Sequence, residues 1–412
     1  MSRLTRGLSY AGAVLTANAL RPAHASSPLG VPSFFAGWLA TELAPYNLAL
    51  TAAATGLQLK RNGQPTNAKD RVALALNGAT MAGLVVIIRQ SLASKQVVED
   101  ALRETFPDIE PAEADERMAA IRRHANPFGF GHPGVEVIRD VQYAGKGRRR
   151  RLDIFRPRKL GDTPAPVLFQ IHGGAWMIGK KEEQALPLLY HLASRGWVCV
   201  SANYRLVPKV RWPDQLIDVK SALAWIRTNI EDYGGDPGFV AVTGGSAGGH
   251  LASLVALTAN DPRYQPGFED VDTSVQACVP HYGVYDLADE LKVKGGVRTR
   301  DRFYGPMLFK ANYATNPEPF NAASPLQLTH ADAPPFFVIH GTHDSLAPVA
   351  EAREFVNRLR AISKAPVAYA ELPGTQHAFD IFHSIRSANV VRAVERFLGY
   401  THVAHTEELT KS

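Results

Sequence analysis

From residue 135 onward, apolar runs of strand length alternate with runs that repeat at helical spacing, and this alternation constrains the fold most. Residues 135–143 and 151–155 read as a hairpin around an Arg-rich turn. The runs 167–172, 197–204, 239–242, 275–279, 336–339 and 367–372 read as further strands. Among the intervening stretches, 214–233 reads as a helix with Leu216, Val219, Leu223 and Ile226 on one face, and 251–257, 349–362 and 385–398 as further helices. A hairpin followed by such alternation gives a mostly parallel sheet covered by helices on both faces. Ligands bind these sheets at the carboxyl ends of the strands. Reactive side chains are therefore expected directly after strands.

Three motifs meet that expectation. Gly244-Gly245-Ser246-Ala247-Gly248-Gly249 follows one strand and opens a helix. Glycines two residues either side of a serine, on a strand-to-helix turn, have the spacing of a nucleophile elbow. The turn lifts the serine clear, the small neighbours let backbones pack behind it, and the helix presents its amino end to developing negative charge. A phosphate-binding loop is the competing reading, but the turn lacks the Gly-Lys-Ser/Thr ending. His172-Gly173-Gly174-Ala175-Trp176 follows the strand at 167–171. Its glycines leave backbone N–H groups free to face a cavity. With the Ala247 N–H, those of Gly173 and Gly174 would form an oxyanion hole. A tight turn without chemistry is the plain alternative.

A serine hydrolase of this type needs an acid and then a histidine later in the chain. Asp344 follows the strand at 336–339 and His377 the strand at 367–372. His250 lies four residues past Ser246 and reads as a packing residue. His281, His340 and His343 lack a later partner in the required order. Asp286 is the runner-up acid, but it follows the strand at 275–279, before the strand at 336–339 after which the acid is expected.

Residues 1–130 are a different kind of sequence. The start has the outline of a secretory signal: Arg3 and Arg6, an apolar stretch at 8–20, then Ala23-His24-Ala25. Ser9, Thr16 and Asn18 interrupt that stretch. Two uncharged runs follow, 43–59 and 72–88, bracketed by basic residues, with Phe34, Phe35, Trp38 and Tyr46 near the first. Each is a little short of a membrane span and holds polar residues. Three readings stay open: a membrane hairpin, interfacial helices, or buried helices covering an apolar pocket of the catalytic domain. Residues 107–116, acidic with two prolines, read as a linker, and 401–412 as a frayed polar tail. The expected organisation is a helical extension over 1–130, a catalytic domain over 131–400 with a cap insertion at about 284–328, and the tail. Tyr285, Phe303, Tyr304, Met307, Phe309, Tyr313 and Phe320 in the insertion suit an acyl pocket or simple packing.

Hydrophobic residues make up 45% and charged residues 20% of the 412, ordinary fractions that exclude a disordered chain. The net charge of +6 gathers most visibly at Arg148–Arg151, which reads as a solvated turn rather than a nucleic-acid patch, with an anionic membrane surface as the alternative partner. Cys199 and Cys278 lie in apolar runs and read as buried thiols. No Cys/His cluster has zinc-ligand spacing, and no metal or cofactor is called for.

Together, His172-Gly173-Gly174-Ala175-Trp176, Tyr204-Arg205-Leu206 with Pro208, Pro213 and Asp218, Gly244 through His250, and the Asp344 and His377 loops resemble the hormone-sensitive-lipase branch of the α/β-hydrolases. Within it, the chain is most similar to mycobacterial Lip-type carboxylesterases. The resemblance spans about 135–400. It implies an α/β-hydrolase fold, Ser246 as nucleophile, His377 as base, Asp344 as orienting acid, and Gly173, Gly174 and Ala247 as oxyanion donors. Ala175 stands where the family carries another glycine, and Lys209 where it carries a glutamate, so one carboxylate is missing beside the site. The implied activity is hydrolysis of short-to-medium acyl esters, or of lipid esters at a cell envelope if the extension meets membrane. An arylformamidase-like amidase is the alternative on the same residues, a non-catalytic binding protein of this fold a remoter one.

Overall fold

The computed structural model describes residues 2–25, 27–110 and 126–411. The linker expected at 107–116 lies, from residue 111 on, outside the described residues. Among the described residues, four helices form the extension: α1 (Arg3–Leu20), α2 (Gly30–Glu42), α3 (Ala44–Asn62) and α4 (Ala68–Thr105). An eight-stranded sheet follows: β1 (Val135–Gln142), β2 (Arg151–Pro157), β3 (Ala165–Ile171), β4 (Val198–Ala202), β5 (Gly235–Gly245), β6 (Ala277–His281), β7 (Phe336–Gly341) and β8 (Val367–Leu372). Its order is β1-β2-β4-β3-β5-β6-β7-β8. The opening hairpin pairs antiparallel, β2 joins β4 antiparallel, and every later pair is parallel.

Alternate side chains of each parallel strand enter two cores. Phe169, Val200, Val242 and Val338 face α6 (Asp214–Asn229), α7 (Ala247–Leu257) and α8 (Val349–Ile362). Leu168, Cys199, Ala241 and Phe337 face α5 (Leu186–Ser194) and α9 (Ile385–Lys411). Burying both faces is what a parallel sheet needs, and each fully buried Leu, Val or Phe contributes about 1.5–3 kcal/mol.

Two expectations meet a different outcome. The carboxyl-terminal residues are helical to Lys411. The rings of His402 and His405 pack on Phe239, at 4.8 and 5.6 Å between centroids, and tie this polar stretch down. The Arg-rich turn is not simply solvated. Arg149 donates to the Gly179 carbonyl at 2.7 Å, and Arg150 pairs with Asp218 at 3.5 Å.

The extension divides in two. Phe34 of α2 and Val98, Ala101 and Leu102 of α4 belong to the same core as α5 and α9. Glu42 and Arg386, both fully buried, pair at 3.1 Å and join α2 to α9. By contrast α3 and the first half of α4 stand largely outside that core, touching a small cluster of Ala19, Ala40, Ala44, Leu84 and Ile87.

Candidate active site

Strand β5 ends in the serine turn. Ser246 has φ 59° and ψ −123°, a conformation that costs a non-glycine residue about 1–3 kcal/mol and persists only where neighbours fix it. They do so here. The Ser246 N–H donates to the His281 carbonyl at 3.0 Å, and the Ser246 carbonyl accepts from the His250 N–H at 2.9 Å. Glycines allow the crowding behind the turn: a Cβ on Gly244 would lie 2.5 Å from the Gly248 backbone, and one on Gly248 would run into the Ile171 carbonyl. Ser246 itself remains half-buried among fully buried neighbours.

The loop after β3 arches over this turn. A Cβ on Gly173 would meet the Gly245 carbonyl oxygen at 2.5 Å and the Ser246 Cβ at 3.1 Å, so only glycine permits the approach. Gly174, Ala175 and Trp176 all have positive φ. His172 braces the loop: its ring stacks on Tyr204 at 4.3 Å, and burial pushes its pKa down to about 4, so it stays neutral. The Trp176 indole N–H donates to His250 Nδ1 at 3.2 Å, while His250 Nε2 lies 2.7 Å from the Ala323 carbonyl of the insertion. Burial likewise brings His250 down to about 4. His250 is thus a packing link between loop and insertion, as its position on α7 suggested. The Gly173 N–H has a partner the sequence did not reveal: it donates to Gln184 Oε1 at 2.6 Å. The Ala247 N–H opens α7, where no intrahelical acceptor exists for it.

The loops after β7 and β8 bring Asp344 and His377 together. His377 Nδ1 lies 2.6 Å from Asp344 Oδ2. The other carboxylate oxygen accepts from the Leu346 and Ala347 N–H groups, each at 2.8 Å. His340 Nε2 stands 3.4 Å from Oδ2. Burial alone would raise the Asp344 pKa, but the His377 and His340 imidazoles facing it hold it well below the usual carboxylate range. Gln376 stitches the two loops: its Oε1 accepts from the Ser345 and His377 N–H groups at 2.8 and 2.9 Å. Asp286 is elsewhere occupied, accepting from the Glu290 and Leu291 N–H groups at 3.0 and 2.9 Å. Tyr282 joins the halves of the site. Its ring lies 4.6 Å from that of His377, its hydroxyl sits against Gly245 and donates to Asp380, and Asp380 also pairs with His281 at 2.7 Å.

The extension reaches the same place. The Trp38 indole donates to the Ala378 carbonyl at 2.8 Å, and Phe34 sets its edge to His377 at 6.0 Å. Gly30 lets α2 sit close, since a Cβ there would be 2.6 Å from the Ser345 carbonyl oxygen, while Gly37 faces α1, where a Cβ would be 2.9 Å from Asn18 Nδ2. Phe34, Trp38, Tyr282 and Gln184 escaped the sequence reading as site residues. The aromatic cluster 34–38 was its only local signal.

A serine on a strained turn, a histidine bonded to a buried carboxylate and a glycine loop above them is an arrangement for acyl transfer. Comparison with known proteins agrees. The BD-FAE family model matches residues 152–359. The chain belongs to the BD-FAE family of α/β-hydrolases. The BD-FAE match takes in Ser246 and Asp344 and stops before His377. A probable carboxylic ester hydrolase of Mycobacterium tuberculosis, LipM, is 44% identical over 407 residues, covering 94% of this chain and 90% of LipM, and so includes most of the extension. Esterase LipQ of the same organism is 49% identical over 261 residues, 63% of this chain and 61% of LipQ. Among solved structures, esterase B from Lactobacillus rhamnosis superposes with a TM-score of 0.57 at 21% identity, covering 78% of this chain and 99% of that one, a likeness of fold.

Proposed function

We propose that the chain hydrolyses carboxylic esters through an acyl-enzyme formed on Ser246. The observation that carries this reading is the 2.6 Å bond between His377 Nδ1 and Asp344 Oδ2, on adjacent loops that Tyr282, packed on both His377 and Gly245, links to the Ser246 turn. Asp344 Oδ2 accepts a hydrogen bond from the His377 Nδ1–H and stays ionised, which leaves Nε2 free to take the Ser246 hydroxyl proton as Oγ attacks the ester carbonyl. The Gly174 and Ala247 N–H groups stabilise the resulting oxyanion, and Gly173 joins them by exchanging Gln184 for it; one such donor is worth about 3–4 kcal/mol in the transition state. His377 returns the proton to the leaving alcohol. Water then attacks the acyl carbonyl, giving a proton to Nε2, and as the acyl–Oγ bond breaks Nε2 returns that proton to Ser246 Oγ and the carboxylic acid leaves.

The substrates are short-to-medium acyl esters. Phe34 from the extension and the Trp176–Tyr304 pair, 6.0 Å between rings, bring aromatic walls to the site from two sides. Much of the insertion packs on itself, as in the Phe309–Phe320 contact at 4.3 Å, which favours a small pocket. A cell-envelope location is part of this reading, supported by the long apolar α4 helix of the extension. Initial rates on p-nitrophenyl esters from acetate to palmitate, for wild type and Ser246→Ala, test the reading. It requires serine-dependent turnover peaking at short to medium chains. Folded protein with serine-dependent turnover of aryl formamides alone would favour the amidase.

A further inference from the structure

The outer part of the extension is built inside out. In α3, the exposed residues between 49 and 59 are Ala, Leu and Gly, led by Leu50 at 68% exposure and Leu57 at 48%. In α4, every exposed residue from Val72 to Val86 is Val, Ala or Gly. Within these stretches Thr55, Asn77 and Thr80 are buried instead. Asn77 Nδ2 donates to Thr55 Oγ1 at 3.0 Å in the buried seam between α3 and α4. In α1, Ser9 and Thr16 are buried while Leu8 and Val14 are 63% and 66% exposed. Gly83 of α4 admits Thr16 so closely that a Cβ there would be 2.6 Å from its methyl. Water drives helices to the opposite arrangement. Small and polar contacts inside, with aliphatic side chains outside, is the packing of helices solvated by hydrocarbon. The α4 helix also holds a window long and apolar enough, by length and composition, to enter a bilayer, and that window is mostly unburied.

Charge says which surface covers these faces. Residues 2–98 contain nine Lys and Arg but two carboxylates, Glu42 and Asp70. Glu42 is buried against Arg386, and Asp70 is paired with Arg6. Lys60, Arg61, Lys69 and Arg71 cluster where α3 turns into α4, and Arg89 closes the apolar stretch at its other end. Both ends of the apolar stretch are basic, so a two-fold pairing of this face with a second copy would set like charges against each other in either register. An anionic lipid surface offers both hydrocarbon and opposite charge.

We propose that the outer faces of α1, α3 and the first half of α4 dock the enzyme on an anionic lipid bilayer, aliphatic side chains in the acyl layer and basic residues among the headgroups. Helix α2 joins this surface to the site, with Phe35 65% exposed outward and Phe34 against His377. This deepens the envelope placement given under the proposed function, but binding and turnover are read separately.

The test is flotation of the full chain with vesicles of phosphatidylcholine alone or with phosphatidylglycerol in equal parts. The wild type and Ser246→Ala should float equally with the anionic vesicles and far less with neutral ones. Leu50→Glu/Leu57→Glu should cut flotation about tenfold or more, with turnover of a soluble short ester unchanged. Lys60→Gln/Arg61→Gln/Lys69→Gln should lose the preference for anionic vesicles and respond less to salt. No flotation with either vesicle overturns the proposal, as does flotation of the Leu50→Glu/Leu57→Glu variant at the wild-type level. Equal flotation on neutral vesicles overturns its charge component. A dimer in sedimentation that the Leu50→Glu/Leu57→Glu variant splits, in protein that ignores vesicles, assigns the face to a second copy. Loss of ester turnover alone would sink the hydrolase reading and leave the docking result standing.

Discussion

Replacing Asp344 with asparagine changes one atom and, by this geometry, reverses the polarity of the site. The Leu346 and Ala347 N–H groups both point at one carboxylate oxygen, at 2.8 Å. They fix the orientation of the amide, because its NH2 in that position would face two donors. The amide oxygen therefore stays there, and the NH2 is left 2.6 Å from His377 Nδ1. His377 must then accept at Nδ1 and carry its proton on Nε2. In that tautomer it cannot take the Ser246 proton. The corresponding change in a serine triad lowers kcat by about 10⁴, or about 5 kcal/mol. The assay is kcat on p-nitrophenyl butyrate at neutral pH, with a thermal melt to show that the variant folds. The backbone bonds survive, so the melt should shift little. A folded Asp344→Asn enzyme within about tenfold of wild type would refute the tautomer argument.

Four further outcomes follow from particular contacts. Burial pushes the Glu351 carboxyl up to about 8, opposed by the Tyr285 N–H and reinforced by Asp286. The folded chain thus holds a proton that the unfolded chain loses near pH 4, and stability should fall as pH rises from about 4 to 8, by at most about 1.4 kcal/mol per unit from this group. Glu351→Gln should flatten that slope in melts from pH 5 to 9; identical slopes would exclude the assignment. Arg386→Ala strands Glu42 in the core and should cost about 3–5 kcal/mol in urea unfolding, whereas a loss below about 1 kcal/mol would mean that water reaches the pair. Gln184→Glu sets a negative charge at the Gly173 N–H and should lower kcat by about 2 kcal/mol, roughly thirtyfold; unchanged turnover would remove Gly173 from the oxyanion set. Phe34→Ala should alter the acyl-length profile more than the rate on acetate, and parallel losses across the series would make Phe34 purely structural.

The strands were legible because a parallel sheet buried on both faces leaves continuous apolar runs, and β3 through β8 each have one. The site followed from topology, since Ser246, Asp344 and His377 all sit just past such runs. The short helix α5 was missed: its nine residues open on Leu186-Pro187 and hold too few turns to display a period. The carboxyl-terminal helix looked like a tail because its anchor, His402 on Phe239, is a contact between residues far apart in sequence. The same holds for Trp38 on Ala378 and for Gln184 on Gly173, which leave no local pattern. The uncharged runs 43–59 and 72–88 fall on α3 and the first half of α4, largely outside the catalytic core, so they are not buried helices over a pocket of the catalytic domain. Helix α2 and the second half of α4 cover the catalytic body, while α3 and the first half of α4 turn aliphatic faces outward. Periodicity could not separate these, because both halves of α4 are apolar on one side and only burial shows which side.

Ser246 as nucleophile is decided by treating wild type and Ser246→Ala with a p-nitrophenyl alkylphosphonate and mapping the adduct by peptide mass spectrometry. One phosphonyl group is expected on Ser246, with loss of p-nitrophenolate in equal amount and no adduct in the folded Ser246→Ala protein. An unlabelled but folded wild type, or the same adduct formed in Ser246→Ala, would contradict it.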